Sequence, residues 1–205
     1  MDLRSTMAGP SSVTAIAAQA GERLPTIPPA QYTAGQQRAA ADFEAARGSP
    51  VFGPFEPMLH SPEVMSLARA MGDYMRYKSA IGNTLSELMI LVTAREWSQD
   101  YEWCIHHPIA LQAGIRPEVA DAIAAGRRPG AMSPDEEIVY DYATELLRNQ
   151  QICDSVFERA KRRFGTQGVV DMTGIVGYYT FLAMQLNAAR YPAPTDARKL
   201  PPLPR

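Results

Sequence analysis

A chain of 205 residues with 46% hydrophobic and 20% charged side chains can bury one proper core, and its length fits one domain rather than two. A formal charge of −2 offers no basic surface to a phosphate backbone, so nucleic acid is excluded as a partner. No apolar run approaches the ~20 residues that span a bilayer, and two cysteines are too few for a disulfide framework, so the chain reads as cytoplasmic with no membrane partner.

In chain order, residues 1–30 read as a flexible tail that ends in Pro25, Pro28 and Pro29. Arg4 ahead of a short apolar stretch at 13–18, followed by Ala18-Gln19-Ala20 as a small-x-small cleavage site, leaves an exported form as the alternative. The folded region is expected over 31–192, with helical start and stop signals and no strand-like alternation.

Thr33 caps a helix that ends at Gly48, and Ser61-Pro62-Glu63 opens a second with proline at its first position. Between them, residues 51–57 combine two phenylalanines with proline and glycine breaks, a shaped apolar loop that fits a lid. A third helix over 84–97 is apolar on every face from Leu88 to Val92, the mark of an enclosed helix. A fourth runs from Asp100 to a left-handed stop at Gly114, and Pro117 and Gly126 bracket a short fifth.

Ser133-Pro134-Asp135-Glu136 is a capping box that starts a helix to about Asn149. Asp154 caps the next, which stops at Gly165, and the last covers 166–190. Residues 193–205 read as a loose, proline-rich C-terminal tail.

Chemistry concentrates between residues 86 and 108. Glu87 shares a helical face with Ile90, Leu91 and Ala94, where a carboxylate loses solvation and needs a partner; Arg76, Arg95 or a helix-end amide would serve. Glu102 and His106, four apart on one helix, are placed to hydrogen-bond, so that a carboxylate orients an imidazole whose other nitrogen exchanges a proton. Pro108 inside the same helix predicts a kink beside the histidines. Metal ligation by Glu87, Glu102, His106 and His107 is disfavoured, because adjacent histidines diverge by about a third of a turn and no second histidine lies one turn away.

Glu87, then Tyr101-Glu102-Trp103-Cys104-Ile105-His106, then His107-Pro108-Ile109-Ala110 and Ala113-Gly114-Ile115 together resemble the carboxymuconolactone decarboxylase-like family. More loosely the likeness runs from Gly53-Pro54-Phe55 and Leu59-His60-Ser61-Pro62 to Tyr178, Leu186 and Asn187, most of 31–192. That family is related to the alkyl hydroperoxidase D proteins, whose site is a Glu, a Cys-x-x-Cys pair and a His four residues on. Here the two cysteine positions fall on Gln99 and Glu102, while Glu87 and His106 match and Cys104 falls on neither.

The resemblance implies an all-α, single-domain multi-helix bundle of the alkyl hydroperoxidase D-like type, assembled as a homo-oligomer, a trimer or hexamer. It implies a carboxy-lyase of aromatic-compound catabolism that takes a small carboxylated lactone or related β-carbonyl acid, with no cofactor and no metal. On that reading His106 delivers the proton, Glu102 orients it, and Glu87 relays or stabilises charge. Phe52, Phe55, His60, Arg76, Tyr101 and His107 are substrate-binding candidates, and Lys78 and Arg95 are further cations for a substrate carboxylate. Two alternatives remain: a peroxide reductase using Cys104, and a non-catalytic ligand-binding oligomer.

Overall fold

The computed structural model describes residues 21–203. The segment before residue 21, expected as a flexible tail or an export signal, lies outside the described residues. Among those described there are helices and no strands, and no helix is long and apolar enough to cross a membrane.

A single 3-10 turn, Pro29–Gln31, leads into eight α-helices: α1 Ala34–Arg47, α2 Phe55–Met58, α3 Pro62–Tyr77, α4 Asn83–Glu96, α5 Asp100–Gln112, α6 Pro117–Ala124, α7 Pro134–Asn149 and α8 Asp154–Ala189. The capping signals act as their chemistry requires. Thr33 and Ser133 each accept from the backbone three residues on, while Gln36 and Glu136 reach back to the cap, which satisfies two otherwise orphaned amides per helix. Gly48 closes α1 in the left-handed conformation, at φ 69°.

α4 is the axis of the molecule. Every residue from Ser86 to Arg95 is buried, and α3, α5, α6, α7 and α8 all pack against it. The short loop at 97–99 turns the chain back so that α5 lies alongside α4, and this antiparallel pair brings the segment around Glu87 beside the segment around His106. α5 continues through Pro108 to Gln112, as the expected stop at Gly114 requires.

The stop expected at Gly165 is present, since Gly165, at φ 69° and ψ −178°, breaks the helical geometry and α8 is two helical segments that meet at a kink. One boundary differs from expectation. Cys153, not Asp154, occupies the cap position of α8, and Asp154 is the first helical residue.

The C-terminal residues are docked rather than loose. Arg95, 4% exposed, donates from Nη1 to the Pro201 carbonyl at 2.8 Å and to the Ala124 carbonyl at 3.2 Å. The Leu200 amide donates to Asp100 at 3.0 Å, and Arg198 pairs with Asp121. A buried guanidinium needs acceptors, and the strap supplies one that the helices do not. At the other end, the Arg23 amide donates to the Ala189 carbonyl at 2.9 Å, so the described residues just before the 3-10 turn are also tied to the body.

Truncation after Ala197 should lower stability by about 1.5–3 kcal/mol, the worth of a hydrogen bond to a charged group. Urea denaturation measures this, and an unchanged midpoint would show that the strap is energetically idle.

Candidate active site

Glu87 sits on α4 with no exposed surface, on the helix face that the apolar pattern of its neighbours predicts. His106, on α5, donates from or accepts at Nδ1 across 2.7 Å to Glu87 Oε2, and Arg76 of α3 approaches Glu87 Oε1 at 3.5 Å. On the other side of the imidazole, Nε2 lies 3.5 Å from Glu102 Oε2. Three helices thus converge on one buried ring, with carboxylates facing both of its nitrogens.

The two carboxylates are unequal, and their order reverses the expected one. The close contact belongs to Glu87, which therefore holds the ring and favours the tautomer with hydrogen on Nδ1. Glu102, the same-helix neighbour expected to do the orienting, stands back from Nε2, the nitrogen left free for exchange. Spacing of four places the Glu102 and His106 side chains on one face, but the packing of α4 against α5 gives Glu87 the shorter reach.

Burial pushes the Glu102 carboxyl above the ordinary carboxylate range, against the opposing pull of His106 and Arg76. Its Oε1 is buried without a hydrogen-bond partner. A carboxyl that resists ionisation and faces an imidazole nitrogen is suited to hold a proton and hand it over. The Tyr179 ring meets His106 edge-on, with centroids 5.1 Å apart, and fixes the imidazole from a third direction.

These groups open onto a small cavity of 50 Å³, lined on its polar side by Arg47, Arg76, Tyr101, Glu102 and His106. Phe52, Pro54 and Phe55 cover it, and Ile105, Tyr178, Tyr179 and Leu182 complete the wall. The lid is held by backbone geometry: Gly53 has φ 60°, and a Cβ there would lie 2.5 Å from the Tyr101 hydroxyl. Burial raises the Tyr101 phenol to about 12, so it stays a neutral hydrogen-bonding group at neutral pH. Glu56 of the lid accepts from Tyr191 and from Thr26, which fastens the cover to the end of α8 and to the N-terminal segment.

Of the expected site residues, Glu87, Glu102, His106, Phe52, Phe55, Arg76 and Tyr101 come together here. His60 does not; it is exposed, with Nε2 3.1 Å from the Pro25 carbonyl. His107 points to another side of α5 and packs against Trp103, where burial and then Arg198 lower its basicity. Arg95 serves the C-terminal strap, and Lys78 is exposed at the end of α3. Arg47 and Tyr179 were missed: Arg47 looks like any basic residue in a last turn, and Tyr179 like one more apolar position of α8.

The two positions that the resemblance aligns with a cysteine pair, Gln99 and Glu102, hold a helix cap and a buried carboxyl. Gln99 caps α5, accepting from the Tyr101 amide at 2.6 Å and donating to Asn187 at 2.7 Å. Cys104 lies under the strap, with Sγ 3.5 Å from the Arg198 carbonyl, outside the cavity lining. Burial, then Asp100, raises its thiol, the opposite of activation. Cys104 and Cys153 are both free. Among the described residues no group of three His, Cys, Asp or Glu side chains is arranged to hold a metal ion.

An all-helical body with this connectivity is found in solved structures. One is titled as an alkylhydroperoxidase AhpD core, an uncharacterized peroxidase-related protein from Ralstonia eutropha, with TM-score 0.67 at 15% identity over 85% of this chain and 93% of that one. Another, an uncharacterized peroxidase-related protein from a Silicibacter species, has TM-score 0.69 at 15% identity over 90% of this chain and 97% of that one. The chain therefore has the all-α AhpD-core fold. At such identity the likeness establishes the architecture and not the reaction. No family model matches the chain, and no curated protein does.

The raised Glu102 carboxyl makes a signed prediction. At low pH it is protonated in both folded and unfolded chains. As pH climbs past the ordinary 4.5, the unfolded chain releases the proton first, so this group costs the folded state progressively more. Stability of Glu102→Gln relative to wild type should therefore grow as pH rises from 4.5, measured by denaturant unfolding across pH. An offset that is constant or shrinks with pH would contradict the assignment. Glu87→Ala, which strands Arg76, should cost about 3–5 kcal/mol in the same assay.

Proposed function

We propose that this protein is a cofactor-free acid/base enzyme that decarboxylates, or moves a proton on, a small carboxylated lactone or related β-carbonyl acid. The observation that carries the reading is the buried imidazole of His106 between Glu87 at 2.7 Å and Glu102 at 3.5 Å, at the wall of a covered cavity. Such groups are costly to bury, and they are arranged as a proton donor needs: one carboxylate holds the ring, while the other, made reluctant to ionise by burial, faces the free nitrogen.

The chemistry balances without a further reactant. The bond between the substrate's carboxyl carbon and its neighbour breaks, and carbon dioxide leaves. The electron pair moves into the conjugated carbonyl and gives an enolate. A proton held between Glu102 and His106 Nε2 passes to the enolate carbon, and solvent restores it. Arg76 offsets the negative charge of Glu87 and offers a cation near the developing enolate. The covering phenylalanines keep water from the carbanion-like centre.

The alternative of a peroxide reductase is weakened by Cys104, whose thiol faces the strap and whose thiolate is disfavoured. Screening carboxylated lactones for carbon dioxide release in deuterated water tests the main reading. Wild type should place solvent deuterium in the product, and His106→Ala should lose turnover by about 10²–10⁴-fold while keeping its helical content. Normal turnover by that variant would remove His106 from the reaction.

The same reading carries a homo-oligomer, a trimer or hexamer. Val64, Leu67 and Met71 project from α3 at one-turn spacing beside an apolar groove that includes Gly177 and Phe181 of α8, and Leu67 is 73% exposed. Leu67→Glu should reduce the mass measured by light scattering; an unchanged mass would place the contact elsewhere.

A further inference from the structure

Arg47 is the last residue of α1, far in sequence from the other polar groups, yet its side chain reaches the His106 cavity. Its guanidinium carbon lies 5.7 Å from the Phe43 ring centre and 5.4 Å from that of Phe55, so it rests on the inner face of the cover. Nη2 pairs with Asp73 Oδ1 at 2.8 Å. That partner is not Arg47's alone, because the other oxygen of Asp73 takes Arg69 at 2.8 Å. One carboxylate thus answers two guanidinium ions.

Deeper in the cavity Arg76 has a single ion-pair contact, 3.5 Å long, to Glu87. The Nε–H groups of both Arg47 and Arg76 are buried and meet no acceptor. Glu102, 3% exposed, has an oxygen that meets no donor. Buried polar groups in a folded protein are almost always satisfied, so two free donors and a free acceptor around one cavity describe hydrogen bonds that a ligand completes.

We propose that Arg47, together with Arg76, anchors the carboxylate of a small monoanionic organic acid and so directs its reactive carbon toward His106. This rests on the acid/base reading of the same cavity and adds to it the class of ligand and the residue that positions it. The ion pairs suggest the valence: Arg47 and Arg69 share the single carboxylate of Asp73, which leaves one positive charge there for one anion.

The rest of the lining fixes the body of the ligand. Phe52, Phe55, Ile105 and Leu182 offer flat apolar contact, suited to a ring or a conjugated chain and not to a sugar. A guanidinium fork matches a carboxylate in two parallel hydrogen bonds, which an ammonium could not reproduce. The present volume of 50 Å³ is too small for a ring-sized acid, so Phe52 and Phe55 move outward as it enters. Because Arg47 stacks on Phe55, anion binding and the position of the cover are mechanically linked.

Benzoate and benzamide, alike in shape and unlike in charge, test this by calorimetric titration of the full chain. Benzoate should bind at least about tenfold more tightly than benzamide, and Arg47→Gln should erase that preference. Asp73→Asn releases Arg47 from its partner, so it should tighten benzoate, and it keeps the test open if Arg47→Gln folds poorly. Failure of benzoate to bind, equal affinity for the two probes, or unaltered benzoate affinity in both variants would overturn the proposal. Absence of the charge preference in the wild-type protein refutes the anchor, whereas full turnover by His106→Ala refutes the acid/base reading, so the two failures are distinct.

Discussion

A carboxylate with no solvent at the centre of the most enclosed helix is the constraint around which this molecule is arranged. Glu87 is buried among Leu88, Ile90 and Leu91, where a carboxyl needs polar partners, and none of those it has comes from α4 itself. The partners arrive from α3 and α5, as Arg76 and His106. Meeting them fixes how those two helices lie against α4, and the cavity is the space left where the three meet. An imidazole, a guanidinium and a second carboxyl then share a region too dry to screen them, and there modest displacements matter: Glu87 at 2.7 Å holds the ring, while Glu102 at 3.5 Å leaves the other nitrogen free.

The cover follows from the same economy of burial. Phe55 is buried and Phe52 remains 41% exposed, and both rings pack against Phe43 of α1, which sets the 51–58 segment beside the polar groups. Its turn requires the left-handed Gly53, which also leaves room for the Tyr101 hydroxyl. Its far side is fastened through Glu56 to Tyr191 and Thr26, so that the cover, the end of α8 and the N-terminal segment form one mechanical unit over the site.

On the resemblance drawn from the sequence, Gln99 and Glu102 fall where a cysteine pair would stand; here Glu102 is buried and reluctant to ionise, and Gln99 caps α5. Cys104, one position around the helix from Trp103, is turned by that rotation toward the C-terminal strap.

Much of the fold was legible because it is written in local signals. The capping boxes at Thr33 and Ser133, the left-handed stops at Gly48 and Gly114, and the run of apolar residues in α4 depend on neighbours within one or two turns. Glu87, Glu102 and His106 stood out for the same reason, as titratable groups on apolar faces. What tertiary structure alone decided is which carboxylate grips the ring, that Arg47 and Tyr179 join the site, that His60 and His107 do not, and that the proline-rich C-terminus docks on Arg95. These depend on distances between residues tens of positions apart, set by how helices pack. A periodic pattern tells which way a side chain faces from its own axis, and only packing tells what stands opposite it.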